Sequence, residues 1–362
     1  MKKRAYNFNP GPAALPLEVL KQATAEFMDF QQTGMSLMEM SHRSKRVEEM
    51  NEETQALLLE ALQLKKGYQV HFMGGGASTQ FALIPLNLLQ PNQFAAYALS
   101  GSFSEKAYQE AQFIGDARIT GSSKELNWSR VPEVTRASLD LDCSYLHITS
   151  NNTIEGSRYN HFPETGDIPL IADMTSDILS RKLDHEKFSM IYAGAQKNLG
   201  PAGVTVVILR EELLKNASKK IPLILRYETF AKNQSLYNTP PVHSIYMMNL
   251  VLKWVNEQGG IEVLEQQNKR KSKLIYDVID NSAGFYQGFI EPQDRSDMNI
   301  TWKLSSEMLE QRFVKESVLH GFEGLAGHRS IGGIRASAYN AVPLEACQAL
   351  ADYMIDFQRR NG

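Results

Sequence analysis

Cysteine is almost absent from this sequence: Cys143 and Cys347 are the only two among 362 residues. Two thiols so far apart provide neither a disulfide framework nor the spacing of a zinc site. Long apolar runs are missing too, and a bilayer span needs about 18 such residues in a row. The formal net charge is −3, and no basic block exists of the kind that nucleic acid or an anionic membrane surface would select. The first residues are basic, but Pro10, Gly11 and Pro12 stand where a signal peptide would place its apolar segment. The expectation is a cytoplasmic protein without nucleic-acid or membrane partners. Internal repeats and low-complexity segments are absent.

With 43% apolar and 22% charged residues, the chain has enough apolar material for a large core and is long enough for two domains. Apolar positions at helical spacing follow Leu15-Pro16 and recur from Val47 to Leu64. Strand-like runs cover Tyr68 to Met73, residues 94 to 99, Ser144 to Ser150, 168 to 173 and Val204 to Leu209. Strands and helices alternate up to about residue 210, which predicts an α/β fold with a mostly parallel sheet covered by helices. Ser102 to Glu105 has the spacing of a capping box, and Thr239 stands where it could cap a helix running to Asn256. Residues 221 to 238 read as irregular. Gly259-Gly260 is the strongest boundary signal. Beyond it a helix (261–281), a strand (298–303), a helix (306–320), a short strand carrying Arg335 and a last helix from Pro343 predict a smaller α+β domain. The expected division is an N-terminal segment (1–16), a large domain (17–257) and a small C-terminal domain (258–362).

Ligands of open α/β sheets bind at the carboxyl ends of strands, and the chemistry-bearing residues fall there. Gly74-Gly75-Gly76 follows a strand and opens a helix, a pattern that suits a phosphate, with Ser78 and Thr79 as hydroxyl donors; three glycines alone equally suit a plain turn. Phe103 and Thr153 follow the next strands. Asp173 ends a buried strand, and Lys197 stands on a hinge flanked by Ala193, Gly194, Ala195, Gly200 and Gly203. A strand-end acid followed by a lysine on the next hinge is what pyridoxal 5'-phosphate requires. The lysine bonds the cofactor, and the acid keeps the pyridine nitrogen protonated.

These features occur with Phe8-Asn-Pro-Gly-Pro12, Ser41-His-Arg-Ser44, Gly74-Gly-Gly-Ala-Ser-Thr-Gln80, Ala172-Asp173, Ala195-Gln-Lys-Asn198, Tyr237-Asn-Thr-Pro240 and Gly327-His-Arg-Ser-Ile-Gly-Gly-Ile-Arg-Ala336. In that set and order the chain resembles the phosphoserine aminotransferase family of fold-type I pyridoxal-phosphate enzymes, over nearly its whole length. The resemblance implies that Lys197 forms the Schiff base and Asp173 partners the ring nitrogen. It implies that Ala77, Ser78, Thr153 and Gln196 contact the cofactor, and that Asn238 and Thr239 reach it from the other subunit of a homodimer. His42, Arg43, His328, Arg329 and Arg335 match substrate-binding positions. Where the family usually stacks a tryptophan on the cofactor this chain has Phe103, and where some members carry an arginine it has Ser78. The implied reaction is transamination between O-phospho-L-serine and 2-oxoglutarate in serine biosynthesis. A second substrate, a phosphorylated threonine relative of vitamin B6 synthesis, stays open.

Three rival readings remain at this level. A cysteine desulfurase-like lyase would need a nucleophilic cysteine on a mobile loop, whereas Cys143 abuts a strand and Cys347 lies in an amphipathic helix. A pyridoxal-phosphate-binding regulator would need a DNA-binding module, for which residues 1 to 16 are too short. An aminotransferase for a non-phosphorylated amino acid is the hardest to separate.

Overall fold

The computed structural model describes residues 4–140 and 142–362. The described residues form twelve strands: β1 (Tyr6–Asn7), β2 (Tyr68–Met73), β3 (Phe94–Leu99), β4 (Ala117–Ser122), β5 (Cys143–Thr149), β6 (Leu170–Asp173), β7 (Met190–Gly194), β8 (Thr205–Arg210), β9 (Gln287–Gly288), β10 (Asn299–Lys303), β11 (Phe322–Glu323) and β12 (Ile334–Ser337). The helices are α1 (Leu17–Ala25), α2 (Lys45–Ala61), α3 (Gly76–Leu88), α4 (Ser102–Gln112), α5 (Glu211–Lys215), α6 (Tyr227–Lys232), α7 (Val242–Glu257), α8 (Gly260–Asp280), α9 (Glu307–Leu319) and α10 (Leu344–Asn361).

The main sheet has seven strands in the order β2-β8-β7-β6-β5-β3-β4. Strands β4, β3, β5, β6 and β7 pair in parallel, while β8 is antiparallel to both β7 and β2. Only β8 therefore opposes the others. The β7–β8 connection contains no crossover helix to carry the chain back to the starting edge, so the chain must return in the opposite direction. Alternate residues of the strands serve two different cores, as the pleat requires. Phe72, Ala96, Ile148, Ala172 and Ile208 face a layer built with α1, α2 and α7. Tyr97, Tyr145, Ile171, Tyr192 and Val207 face α3, α4 and α6.

A third core forms around Trp302, Phe313, Ile334, Cys347 and Phe357, and Phe8 and Ala14 from the N-terminal segment join it. It packs on a three-stranded sheet, β12-β10-β9, while β1 pairs in parallel with β11. Its seam with the main sheet is polar and densely bonded. The Asn340 N–H donates to Asn198 Oδ1 at 3.0 Å, and the Asn340 side chain donates to the Leu179 carbonyl at 3.0 Å. Lys271 of α8, buried, donates to the carbonyls of Ala338 (3.1 Å), Tyr339 (2.7 Å) and Val342 (3.1 Å).

The structure corrects the reading in several places. The N-cap of α4 is Gly101, and the reciprocal partner is Ser104, whose hydroxyl accepts the Gly101 N–H at 3.0 Å. Glu105 instead pairs with Lys124. Thr239 caps nothing, since α7 begins after Pro241 without a side-chain cap. Helix α6 lies inside the segment read as irregular; its three buried residues, Tyr227, Thr229 and Phe230, are too few to set a period. Strand β4 was not foreseen. It is an edge strand without a fully buried position, so its sequence shows no apolar run.

The loop after β5 meets the third core at Gly156, whose φ is +97°; an added Cβ would stand 2.7 Å from both Asn299 O and Thr301 Oγ1. Gly156→Ala is therefore expected to destabilise the protein by more than about 1 kcal/mol, the left-handed backbone cost alone. The measurement is the thermal unfolding midpoint, and an unchanged midpoint would contradict this account of the seam.

Candidate active site

The carboxyl ends of β2, β3, β5, β6 and β7 converge on one cavity of about 260 Å³. Among its lining residues are Ala77, Ser78, Phe103, Thr153, Asp173, Gln196, Lys197, His328 and Arg335. Register explains the centre: Asp173 ends β6 opposite Thr149 on one side and opposite Tyr192 on the other. Lys197 lies three residues beyond β7, in the loop that turns the chain into β8.

Lys197 is buried, and its Nζ donates to Thr153 Oγ1. Burial lowers its pKa to about 8; Asp173 opposes this, Arg335 adds to it, and Asp177 opposes it. The same burial raises the Asp173 carboxyl, against hydrogen bonding from Thr175, whose N–H donates to Oδ1 at 2.9 Å, and against the Lys197 charge. The N-terminal segment closes over the lysine. At Gly11, φ is +134° and an added Cβ would lie 3.2 Å from Lys197 Cγ, so a side chain there would press on the reacting arm.

Behind Asp173 lies a polar chain without water contact. His147 Nε2 is 2.8 Å from the Tyr192 hydroxyl, and burial takes this imidazole down to about 3, so it is neutral. Its Nδ1 has no partner. The single N–H therefore belongs on Nε2, donating to the tyrosine oxygen, while burial first and then the Asp173 charge raise the tyrosine hydroxyl.

Arg335 comes from β12 and is buried; its Nη1 donates to the Thr153 carbonyl at 3.1 Å, while its Nε finds no partner. Thr149 Oγ1 is likewise buried and unpartnered. Unpaired buried donors that line a cavity have the character of ligand contacts. The N-terminus of α3 adds free backbone N–H groups beside Ala77 and Ser78, suited to an anion. Thr79 does not join them, because its hydroxyl donates to the Gly75 carbonyl at 2.7 Å. A buried amine, a buried carboxylate, an anion-binding helix start and the flat face of Phe103 fit pyridoxal phosphate.

The full length of the chain supports the same view. The sequence profile of aminotransferase class V matches residues 5–350. The chain belongs to the class-V aminotransferase family. It is 56% identical to phosphoserine aminotransferase of Niallia circulans over 362 residues, covering 100% of both chains. The solved structure of phosphoserine aminotransferase from Bacillus circulans subsp. alkalophilus superposes with a TM-score of 0.97 at 55% identity, with 100% of each chain covered. Phosphoserine aminotransferase from Trichomonas vaginalis, solved with pyridoxal phosphate bound, gives a TM-score of 0.90 at 36% identity, covering 97% of this chain and 100% of that one.

Not every expected residue reaches the cavity of a single chain. Arg43, Asn238, Thr239 and Arg329 are exposed and His42 is half-buried; none of the five lines it. Of these, Arg329 is close enough for its charge to act on His328. Conversely, Gly11, Thr149, Asn151, Ile154, Thr175 and Ser176 line the cavity without having been singled out as site residues. Thr149 was accessible in principle as the last residue of a strand whose neighbour ends on Asp173. Gly11 was not, because its contact with Lys197 joins residues nearly two hundred positions apart.

Neither cysteine approaches nucleophile character. Both are buried, and burial raises both thiols, Cys347 to about 12.

Reaction of the Lys197 amine in cofactor-free protein should follow the titration of this side chain, rising with pH through about 8. Because Asp173 holds the amine protonated, Asp173→Asn should move that midpoint downward. Borohydride trapping of pyridoxal phosphate on Lys197 across pH reads both values; a midpoint that moves upward in Asp173→Asn would refute the coupling.

Proposed function

We propose that this chain transfers the amino group of O-phospho-L-serine to 2-oxoglutarate, reversibly, giving 3-phosphooxypyruvate and L-glutamate, with pyridoxal phosphate as cofactor. The observation that carries this reading is the buried Lys197 beside the buried Asp173, in a cavity whose outer rim is cationic.

Lys197 would hold the cofactor through its aldehyde carbon, Asp173 its ring nitrogen, Phe103 its ring face, and Ala77, Ser78, Thr153 and Gln196 its remaining edges and phosphate. When bound, this group supplies an aldehyde carbon that takes up the amino group of the donor and a ring that serves as electron sink. The residues of the chain do the rest. As a free amine Lys197 would carry the proton at the substrate Cα, and a pKa of about 8 suits a general base near neutrality. Asp173, whose carboxylate Thr175 and the Lys197 charge favour against burial, would hold the ring nitrogen charged. Arg335, with its free Nε, fits the α-carboxylate. His328 and Arg329 fit the distal anion, which is the phosphate of one substrate and the γ-carboxylate of the other.

The exposure of Arg43, Asn238 and Thr239 in one chain, with His42 half-buried beside Arg43, suits a two-fold homodimer in which they complete the partner's site. The large domain (17–257) and small domain (258–362) would then meet at the cavity, with residues 1–16 lying across them.

Arg329→Ala should reduce kcat/KM for phosphoserine by about tenfold, since solvent screens this exposed side chain below the full worth of a charged hydrogen bond. It should affect serine much less, whereas Arg335→Ala should impair both substrates alike. Equal losses for the two substrates in Arg329→Ala would remove the phosphate from the reading. On dilution the protein should lose cofactor and activity together as subunits part; a fully active monomer in sedimentation would exclude the shared site.

A further inference from the structure

We propose that Lys106 is a specificity-determining residue that supplies a cation to the distal phosphate of the substrate. The inference rests on the transamination of phosphoserine proposed above, and it adds a residue that neither the sequence motifs nor the cavity lining includes.

Lys106 stands one helical turn after Phe103 on α4, so the two side chains share a face. Its ammonium lies 5.3 Å from the centroid of the Phe103 ring. The Lys197 ammonium lies 5.8 Å from the centroid of that same ring. Phe103 itself lines the cavity, so Lys106 is stationed at its rim and not on a remote surface.

The charge environment of that rim is one-sided. His328, which also lines the cavity, is pushed below its ordinary value by burial first, then by Arg335, Arg329 and Lys106. The three charges that lower it are all cations. Among the described residues Lys106 has neither an ion pair nor a hydrogen bond, whereas its neighbour Glu105 is held by Lys124. Exposed lysines elsewhere are commonly paired, as Lys65 is with Glu186 and Lys182 with Glu262. Gathering the cations Lys106, Arg329 and Arg335 around His328 raises the free energy of the empty site, and that strain is relieved when an anion enters.

The geometry divides the work among these cations. Arg335 is buried in the cavity and fits the α-carboxylate, which leaves the outer three for the other end of the substrate. A phosphate carries up to two charges and presents three oxygens, so it gains from a further point charge on a flexible stem, which lysine provides. A γ-carboxylate carries one charge and gains less. Lys106 thus favours phosphoserine over glutamate and, more strongly, over serine.

The test compares the holoenzyme with Lys106→Met and Lys106→Arg, measuring kcat/KM for phosphoserine and serine and the binding of inorganic phosphate by calorimetry. Lys106→Met is expected to lose about tenfold with phosphoserine and to bind phosphate correspondingly more weakly, with a loss for serine several times smaller. Lys106→Arg should restore most of the preference, and the cofactor absorbance should be the same in all three. Equal losses for both substrates, or phosphate binding unchanged in Lys106→Met, would overturn the role of Lys106. A wild-type enzyme that does not prefer phosphoserine to serine would instead overturn the proposed reaction, and this inference with it.

Discussion

A lone ammonium or carboxylate buried in a protein interior is costly, and the cost falls only when the two are brought together and hydrogen-bonded. Lys197 and Asp173 stand at the ends of adjacent strands, where each feels the other's charge and each has a hydrogen-bond partner of its own, Thr153 for the amine and Thr175 for the carboxylate. Burial works on them in opposite chemical directions, drawing the amine toward neutrality and the carboxyl toward protonation, while each resists the shift in the other. An amine near pH 8 is at once nucleophile and proton carrier, so the same desolvation that strains the site makes it reactive.

Keeping that pair in place requires support from both sides. Beneath it, Tyr192, which stands opposite Asp173 in the sheet, is bonded to the neutral His147 in the core between the sheet and helices α3 and α4. Above it, the segment around Gly11 passes close to the lysine arm, and Tyr339 anchors that segment by donating to the Pro10 carbonyl at 2.9 Å. Tyr339 and Asn340 belong to the loop that Lys271 clamps through three carbonyls, and Asn340 bonds Asn198, the residue next to Lys197. The third core is thus tied directly to the reacting lysine.

Charge, more than shape, distinguishes the two ends of the cavity. Inside, Arg335 has Glu155 as a favourable charge, and that buried carboxylate accepts from Ser102 N (2.8 Å) and Ser102 Oγ (2.6 Å) at the start of α4. One acid therefore helps to fix both the guanidinium and the helix that presents Phe103. At the rim, the charges that lower His328 are those of Arg335, Arg329 and Lys106. The asymmetry suits a substrate that carries a carboxylate at one end and a more highly charged anion at the other.

Much of this was legible in the sequence because it depends on short-range rules. Strand runs ending on Asp173 and preceding Lys197, the glycine turn before α3 and the break at Gly259-Gly260 are local patterns, and parallel α/β topology places strand ends together. Residue identity likewise set the chemistry, since a lysine and an acid in those positions serve few cofactors. Tertiary structure alone decided the rest. It determined that β8 runs against its neighbours, that Gly11 lies on the Lys197 arm, that His147 bonds Tyr192 beside Asp173, and that Phe103 has both Lys106 and Lys197 against its ring. These are contacts between residues distant in sequence, and no periodicity encodes them. Only burial, which the folded chain creates, turns Lys197 from an ordinary cation into an amine that titrates near neutrality.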